Sequence, residues 1–473
     1  MLPSSWRLPF GIDKLQNSLE AEKHRRLPLL SLEDHERYGD TYGQYAGGLF
    51  TILTRDPRNI ASLLSEQFPK FDYGSLRQVC FGCLLGEGIF TENGEDWKRS
   101  RKLLASELHK PRFPSLHIVE SHFQDMLRAL YSSTDTSSHI DIQPILYDYT
   151  LDIGTDIFLG VSTNTLAPLS SVSSEGKSFP LAFNKALKWL ATRERFKMFA
   201  WLVTGPELWS LCNTARNSLE NMIIEAQRQE MGSKHTPSTD FLGQTTDLEK
   251  ARDELMSLLF AARDSIASLL SWIIYVLARE PTVFKNLETD ILTAMGDDSN
   301  IVPTDSDLTR MRYLEDVVHE CLRLFPAVPI NGRICNMTTT LPAGGGTSGE
   351  EPILVPKGAL VCFSTFGCHR STKYYGEDAM KFRPERWREL DVKTMTRDYM
   401  FHPFIGGPRK CLGEGFALKV AKYTVCRLVQ TFRTIEVDDS GSQDGSNWQE
   451  RIKFQVGLTL SPDDGIRVKL ARR

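Results

Sequence analysis

Apolar residues recur at helical spacing through the middle and C-terminal thirds of this 473-residue chain. The strongest run is Arg252–Arg279, where Leu255, Leu258, Leu259, Ala262, Ile266, Leu269, Leu270, Ile273 and Leu277 follow i, i+3/i+4 spacing. Apolar over much of its circumference, it predicts a buried central helix ending before Pro281. A second pattern predicts one helix from Asp307 to Phe325, with Leu308, Met311, Leu314, Val317, Val318 and Leu322 inward and Pro326 as its stop. Pro352–Phe366 reads as two short strands about the turn Pro356-Lys-Gly358. Gly344-Gly-Gly346 is expected to be a flexible loop, and no Lys-Ser/Thr follows it to make a phosphate cradle. Ser233–Thr239 reads as a surface connection. Phe183, Trp189, Phe196, Phe199, Trp201 and Trp209 form an aromatic stretch that reads as core in preference to an access channel. These patterns predict a mainly α protein with small β-sheets.

Composition narrows the class. Hydrophobic residues at 41% and charged residues at 25% are an ordinary globular balance, and a formal net charge of -4 gives no reason to expect a nucleic-acid partner. No low-complexity linker or internal repeat divides the chain, so one domain over residues 1–473 is expected. Nine cysteines at scattered positions do not resemble a disulfide framework and point to a reducing compartment. Cys80-x-x-Cys83 has no second ligand pair for zinc and reads as two buried thiols. The N-terminal residues hold no apolar run of the roughly 18–20 residues that cross a bilayer, so no transmembrane anchor is expected.

The chemistry concentrates near the C-terminus, in Phe404-Ile-Gly-Gly-Pro-Arg-Lys-Cys-Leu-Gly413. Glycines let backbone N–H groups approach the Cys411 sulfur, an arrangement suited to a thiolate held as a metal ligand. Zinc fails on ligand count, with His402 the only close candidate. Ala261-Ala-Arg-Asp-Ser265 puts a charged pair and a hydroxyl inside the apolar central helix, which costs free energy unless they are paired or useful. Either Asp264 and Ser265 are tied up locally, in a salt bridge and a bond back to the helix, or they pass protons. Glu320-Cys-Leu-Arg323 places a carboxylate and a guanidinium on one helix face, followed by Phe382-Arg-Pro-Glu-Arg-Trp387. Trp97-Lys-Arg-Ser-Arg101 pairs an indole and a guanidinium at i, i+4.

The loop reads F-x-x-G-x-R-x-C-x-G. With W-x-x-x-R, the Asp264–Ser265 element, E-x-x-R and P-E-R-W in order from Trp97 to Gly413, the chain resembles the cytochrome P450 family. The resemblance implies the fold of that family, with haem b between the central helix and the cysteine loop. By it, Cys411 is the axial thiolate ligand and Phe404 belongs to the cofactor-binding loop, while Trp97, Arg101, Arg409 and Arg333 reach the haem propionates. Asp264 and Ser265 supply protons for dioxygen activation, and Glu320, Arg323 and Arg386 form a structural triad. Ala262 and Ser265 depart from the family's usual glycine and threonine, which bears on coupling efficiency. The text around these motifs is similar to the fungal branch that hydroxylates alkanes and fatty acids. The implied partners are dioxygen, a small apolar substrate and a diflavin NADPH-cytochrome reductase. Docking of the reductase is expected on a basic patch of Lys98, Arg99, Lys102, Lys410, Lys419 and Lys422. The implied location is the cytosolic face of the endoplasmic reticulum membrane, with peripheral contact through Trp6–Phe10. A reductase-independent isomerase or dehydratase acting on a peroxide is the alternative enzyme class, and Asp264–Ser265 argues against it; a biosynthetic oxidase of a non-lipid metabolite is the other alternative.

Overall fold

The computed structural model describes residues 12–46, 49–108, 113–132, 139–167, 174–230, 247–437, 448–463 and 465–473. The Trp6–Phe10 segment and the Ser233–Thr239 connection lie outside them. Helices dominate, with small sheets at the margins.

The central helix spans Leu248–Leu277. It begins before the predicted Arg252 because the Asp247 carboxylate caps it, accepting from Glu249 N at 2.9 Å and Lys250 N at 3.3 Å. By length and composition this helix could cross a membrane, but it lies mostly buried inside the protein. It packs against the helices Ile142–Leu159 and Glu414–Thr431. Its C-terminal half is pinned by Ser268 Oγ and Trp272 Nε1, which donate to Leu460 O at 2.5 and 2.9 Å. The Trp272 and Phe325 rings stack at 4.1 Å.

The pattern predicted as one helix over Asp307–Phe325 is two, Asp305–Arg310 and Arg312–Leu324. The break at Met311 (φ -79°, ψ 86°) is stabilised from outside the segment. Asp290, on the neighbouring helix Pro281–Met295, accepts from Tyr313 N and Leu314 N at 3.0 and 3.1 Å. A carboxylate on those first amides caps a new helix start, and periodicity carries no trace of it.

A five-stranded sheet has the order Thr41–Ala46, Leu49–Thr54, Leu360–Ser364, Ile330–Cys335, Phe71–Asp72. All neighbours are antiparallel except Leu49–Thr54 with Leu360–Ser364. Both strands expected within Pro352–Phe366 form, in different sheets: Glu351–Val355 pairs with Thr339–Gly345. Gly344 and Gly345 therefore belong to a strand and not to a flexible loop. Gly344 has φ +117°, and a Cβ there would sit 2.8 Å from Thr41, so backbone approach explains the glycine.

Six cysteines are buried, Cys83 and Cys362 are half-buried, and Cys411 is exposed. Phe183 is core, but Phe196, Phe199, Trp201 and Trp209 are exposed, Trp201 by 62%. The stretch expected to be core is thus core only at its start. Its later part includes a 3-10 helix, Lys197–Leu202, whose Phe199 and Trp201 rings are exposed.

Candidate active site

The cysteine loop is folded by its own backbone. Cys411 N donates to Phe404 O at 3.0 Å, Lys410 N to Gly407 O at 3.0 Å, and Ile405 N to His402 O at 3.0 Å. Ile405 stands at φ 62°, a left-handed conformation costing a β-branched residue about 1–2 kcal/mol. Gly407 has φ +66°, and a Cβ on it would lie 1.9 Å from Leu64 O, so no other residue fits between loop and neighbouring turn. Helix Glu414–Thr431 follows immediately and anchors the loop against the central helix.

The loop holds the Cys411 side chain within electrostatic reach of Arg101 and Lys410. The side chain is accessible to solvent by area, yet protein surrounds it closely enough that burial pushes its thiol pKa up. The Gly413 N–H and the cations Arg101 and Lys410 act in the opposite sense, while Glu414 adds to the rise. A sulfur so placed favours the thiolate only when a cation sits directly against it. Phe404 is half-buried against the main core.

Above the loop, cations gather around one phenol. The Arg77, Arg333 and Arg409 guanidinium carbons lie 3.4, 4.3 and 4.6 Å from the Tyr73 ring centroid. The sheet makes this possible: Asp72 pairs with Ile334, so Tyr73 follows beside the strand that carries Arg333. Arg409 also lies 4.2 Å over the Trp97 ring, and Arg101 lies 5.8 Å from the same ring. The hydrogen-bond partners of Arg333 and Arg409 are neutral. Arg409 Nη2 donates to Glu92 O at 3.1 Å and Asn93 Oδ1 at 3.3 Å, and Arg333 Nη1 to Gly332 O at 2.8 Å and Asn331 Oδ1 at 3.2 Å. Arg333 Nη2 and Arg409 Nε are buried with no hydrogen-bond partner.

Burial, and then the mutual repulsion of neighbouring arginines, lowers Arg333 and brings Arg409 down to about 10. Tyr73 is lowered as well: Arg333, Arg77 and Arg409 outweigh the burial that would raise it. Buried guanidiniums with orphaned N–H groups are costly unless an anion completes the site. The carboxylates of a haem would supply that anion, and Cys411 would offer a single sulfur to its iron, so the residues present fit the group. Among the described residues, no cluster of three or more His, Cys, Asp or Glu could hold a bare metal ion.

Trp97, Arg101, Arg333, Arg409 and Cys411 thus stand around one region. Tyr73, Arg77 and Asn93 join them without having been expected. Asn93 Oδ1 also accepts from Tyr73 N at 3.1 Å, and Arg77 leads from the cation cluster to Phe90 through a 3.4 Å bond to its carbonyl. The Phe90 and Phe81 rings rest on Phe260 at 5.2 and 6.2 Å. Phe260 immediately precedes Ala261, so this half-buried aromatic wall adjoins the Asp264–Ser265 turn.

Both halves of that turn are engaged locally. Arg263 Nη1 donates to Asp264 Oδ1 at 2.6 Å, and Ser265 Oγ donates to Ala261 O at 2.6 Å. Burial raises the Asp264 pKa against the pull of Arg263.

The triad residues share one buried knot. Arg323 grips Glu320 bidentately, with Nε to Oε2 and Nη2 to Oε1 both at 2.8 Å. Arg386 Nε at 3.1 Å and Arg383 N at 2.9 Å also reach Oε1, and Trp387 Nε1 reaches Oε2 at 3.1 Å. Arg323 Nη1 then donates to His369 O and Ala379 O, fastening the helix to the segment before the cysteine loop. The basic patch is largely neutralised: Lys98 pairs with Glu95, Arg99 with Asp96, Lys410 with Glu414 and Lys419 with Asp305.

A mainly helical fold that brings one sulfur near an anion-seeking cation cluster fits a haem-thiolate protein. The sequence model of the cytochrome P450 family matches residues 9–458. The chain is 34% identical over 485 aligned positions to the cytochrome P450 monooxygenase himC of Aspergillus japonicus, covering 99% of this chain and 83% of that protein. It is 36% identical to cytochrome P450 52A9 of Candida maltosa, covering 90% and 83%, and 34% identical to cytochrome P450 52A6 of Candida tropicalis, covering 97% and 89%. The chain belongs to the cytochrome P450 family: it is a haem b monooxygenase that uses dioxygen and a redox partner.

Proposed function

We propose that the enzyme hydroxylates an unactivated C–H bond of an apolar, long-chain aliphatic substrate, with Cys411 as the residue that would hold the haem iron. The observation that carries the site is the enclosed Cys411 sulfur beneath buried guanidiniums that lack an anion. Haem iron bound by a thiolate supplies activation of dioxygen and transfer of one oxygen atom.

The chain's own residues do the rest. Cys411 would hold the iron, with Gly413 N–H and Arg101 tempering the charge on sulfur. Arg77, Arg101, Arg333, Arg409 and Trp97 would hold the propionates, with Phe404 packed in the cysteine loop. Phe81, Phe90 and Phe260 form an apolar wall that excludes water and lies against an alkyl chain. Asp264 Oδ1 is tied to Arg263, which leaves Oδ2 to carry a proton. Ser265, with the freer χ1 of an unbranched side chain, turns its hydroxyl from Ala261 O to pass it on. Glu320, Arg323 and Arg386 hold the segment before the loop and take no part in proton traffic.

Electrons come in this reading from a diflavin NADPH-cytochrome reductase at the cytosolic face of the endoplasmic reticulum. The exposed Phe196, Phe199, Trp201 and Trp209 support peripheral contact with that membrane, since tryptophan favours the bilayer interface. One domain over 1–473 is supported by the main core cluster, which runs from Leu84 to Val468 among the described residues.

The test is reconstitution with reductase, NADPH and lipids of graded chain length, read by mass spectrometry and oxygen uptake. Products one oxygen heavier are expected, with oxygen uptake that follows substrate. Turnover of a lipid peroxide without NADPH, and no uptake with it, would replace hydroxylation by the isomerase class. Cys411→Ser should remove the thiolate-type carbonyl band of the reduced protein, and its retention would overturn the ligand assignment.

A further inference from the structure

We propose that the Tyr73 phenol is a further haem-binding group, donating its O–H to a haem carboxylate held in the cation cluster. The inference rests on the haem reading of that cluster and adds to it a neutral donor from a segment that carries none of the sequence motifs.

The backbone fixes where the ring stands. Phe71 and Asp72 pair with Cys335 and Ile334, and the chain leaves the sheet at Tyr73. Asn93 closes the turn from the other side: its Oδ1 accepts from Tyr73 N at 3.1 Å, and its Nδ2 donates to Gly74 O at 2.8 Å. Gly74 N donates to Asp72 Oδ1 at 2.6 Å. The same Asn93 Oδ1 accepts from Arg409 Nη2 at 3.3 Å, so one amide joins the Tyr73 turn to the arginine of the cysteine loop. With the turn already ordered, a bond to the phenol costs little further entropy.

Cation contacts account for the ring and leave the hydroxyl over. The Arg77, Arg333 and Arg409 guanidiniums, at 3.4, 4.3 and 4.6 Å from the ring centroid, would meet a phenylalanine ring in the same way. Tyr73 is only 7% exposed, and its hydroxyl makes no hydrogen bond with the described residues. A hydroxyl so enclosed calls for a partner.

Charge selects that partner. Arg77 Nη1 donates to Phe90 O at 3.4 Å, and Arg333 and Arg409 likewise donate to neutral oxygens. Asp72 is the carboxylate that acts on Arg333 and Arg409, but its oxygens are taken by Gly74 N and by Asn336 Nδ2 at 2.9 Å. Three guanidiniums exceed the two carboxylates of one haem, so positive charge remains around the phenol. These cations outweigh burial and favour negative charge on the phenol oxygen, which makes its O–H a stronger donor. An O–H donated to a carboxylate is a charge-assisted bond. It draws negative charge away from that carboxylate and so raises the reduction potential of the haem by a route separate from the Cys411 sulfur.

The test compares wild-type, Tyr73→Phe and Arg409→Gln holoproteins by haem transfer to an acceptor apoprotein and by spectroelectrochemical titration of the haem. Tyr73→Phe keeps the ring and its three cation contacts, so the fold is retained and only the O–H is lost. Haem transfer about tenfold faster than wild type, with a more negative midpoint potential, is expected from the loss of one charge-assisted hydrogen bond. A role confined to packing of the ring would move neither reading. If Tyr73→Phe matches wild type in both while Arg409→Gln sheds haem faster, the phenol bond is overturned and the cradle stands. If neither variant differs from wild type, the haem reading of the cluster falls, and the phenol bond with it.

Discussion

Replacing Glu320 by glutamine keeps the shape of a buried side chain and removes its charge. The Glu320 Oε1 atom accepts three donors and Oε2 accepts two, and Glu320 and Arg323 are fully buried. Whichever oxygen becomes the amide NH2, at least two donors then face a donor. The buried Arg323 and Arg386 lose their shared carboxylate, and Asp378, at 3.0 Å from Arg386, remains as the near anion. Breaking a buried pair by removing one partner costs about 3–5 kcal/mol. Unfolding entropy of about 2.1 cal/mol/K per residue amounts to about 1 kcal/mol/K for a chain of 473 residues. Glu320→Gln should therefore lower the melting temperature by about 3–5 °C. The assay is differential scanning calorimetry of wild type and variant at one scan rate, with far-ultraviolet dichroism at 25 °C as the folding control. A fall of less than about 1 °C would refute the claim that this carboxylate neutralises buried cations.

Gly407→Ala places a Cβ 1.9 Å from Leu64 O at φ +66°, so roughly 3 kcal/mol of strain or a displaced loop should follow, seen as purified protein with little haem. Arg77→Gln removes one cation from the Tyr73 cluster, and haem transfer to an acceptor apoprotein should accelerate about tenfold, the loss of one charge-assisted hydrogen bond. Burial, aided by Arg55, holds His35 at about 4, below its usual 6.5. The unfolded chain then binds more protons, so this stability is whole above pH 6.5 and is lost as pH falls toward 4. Between pH 7.5 and 5.5 the loss is about 1.4 kcal/mol, and His35→Gln should show that much less acid destabilisation in matched denaturation curves.

Motifs whose spacing is local were readable from the chain. Gly407 and Gly413 flank Cys411 at a fixed spacing within one loop, Trp97 and Arg101 share a helix face, and Glu320 and Arg323 lie one turn apart. Each is a constraint between near neighbours, so it leaves a trace in residue order. The central helix was readable for the same reason, since a helix buried all round shows its apolar repeat without help from other elements.

What tertiary structure decided are the meetings of distant segments. Tyr73 and Arg333 became neighbours through strand pairing, and three arginines converged on one ring from three parts of the chain. Asp290 cut one predicted helix into two by capping it from outside. Exposed Trp201 and buried Phe183 have the same aromatic character, and only their position relative to the core separates them. Residue order by itself therefore determined the family and the reaction class. The shape of the anion cradle and the aromatic wall belong to the fold, because each depends on which surfaces come together once the apolar segments are buried.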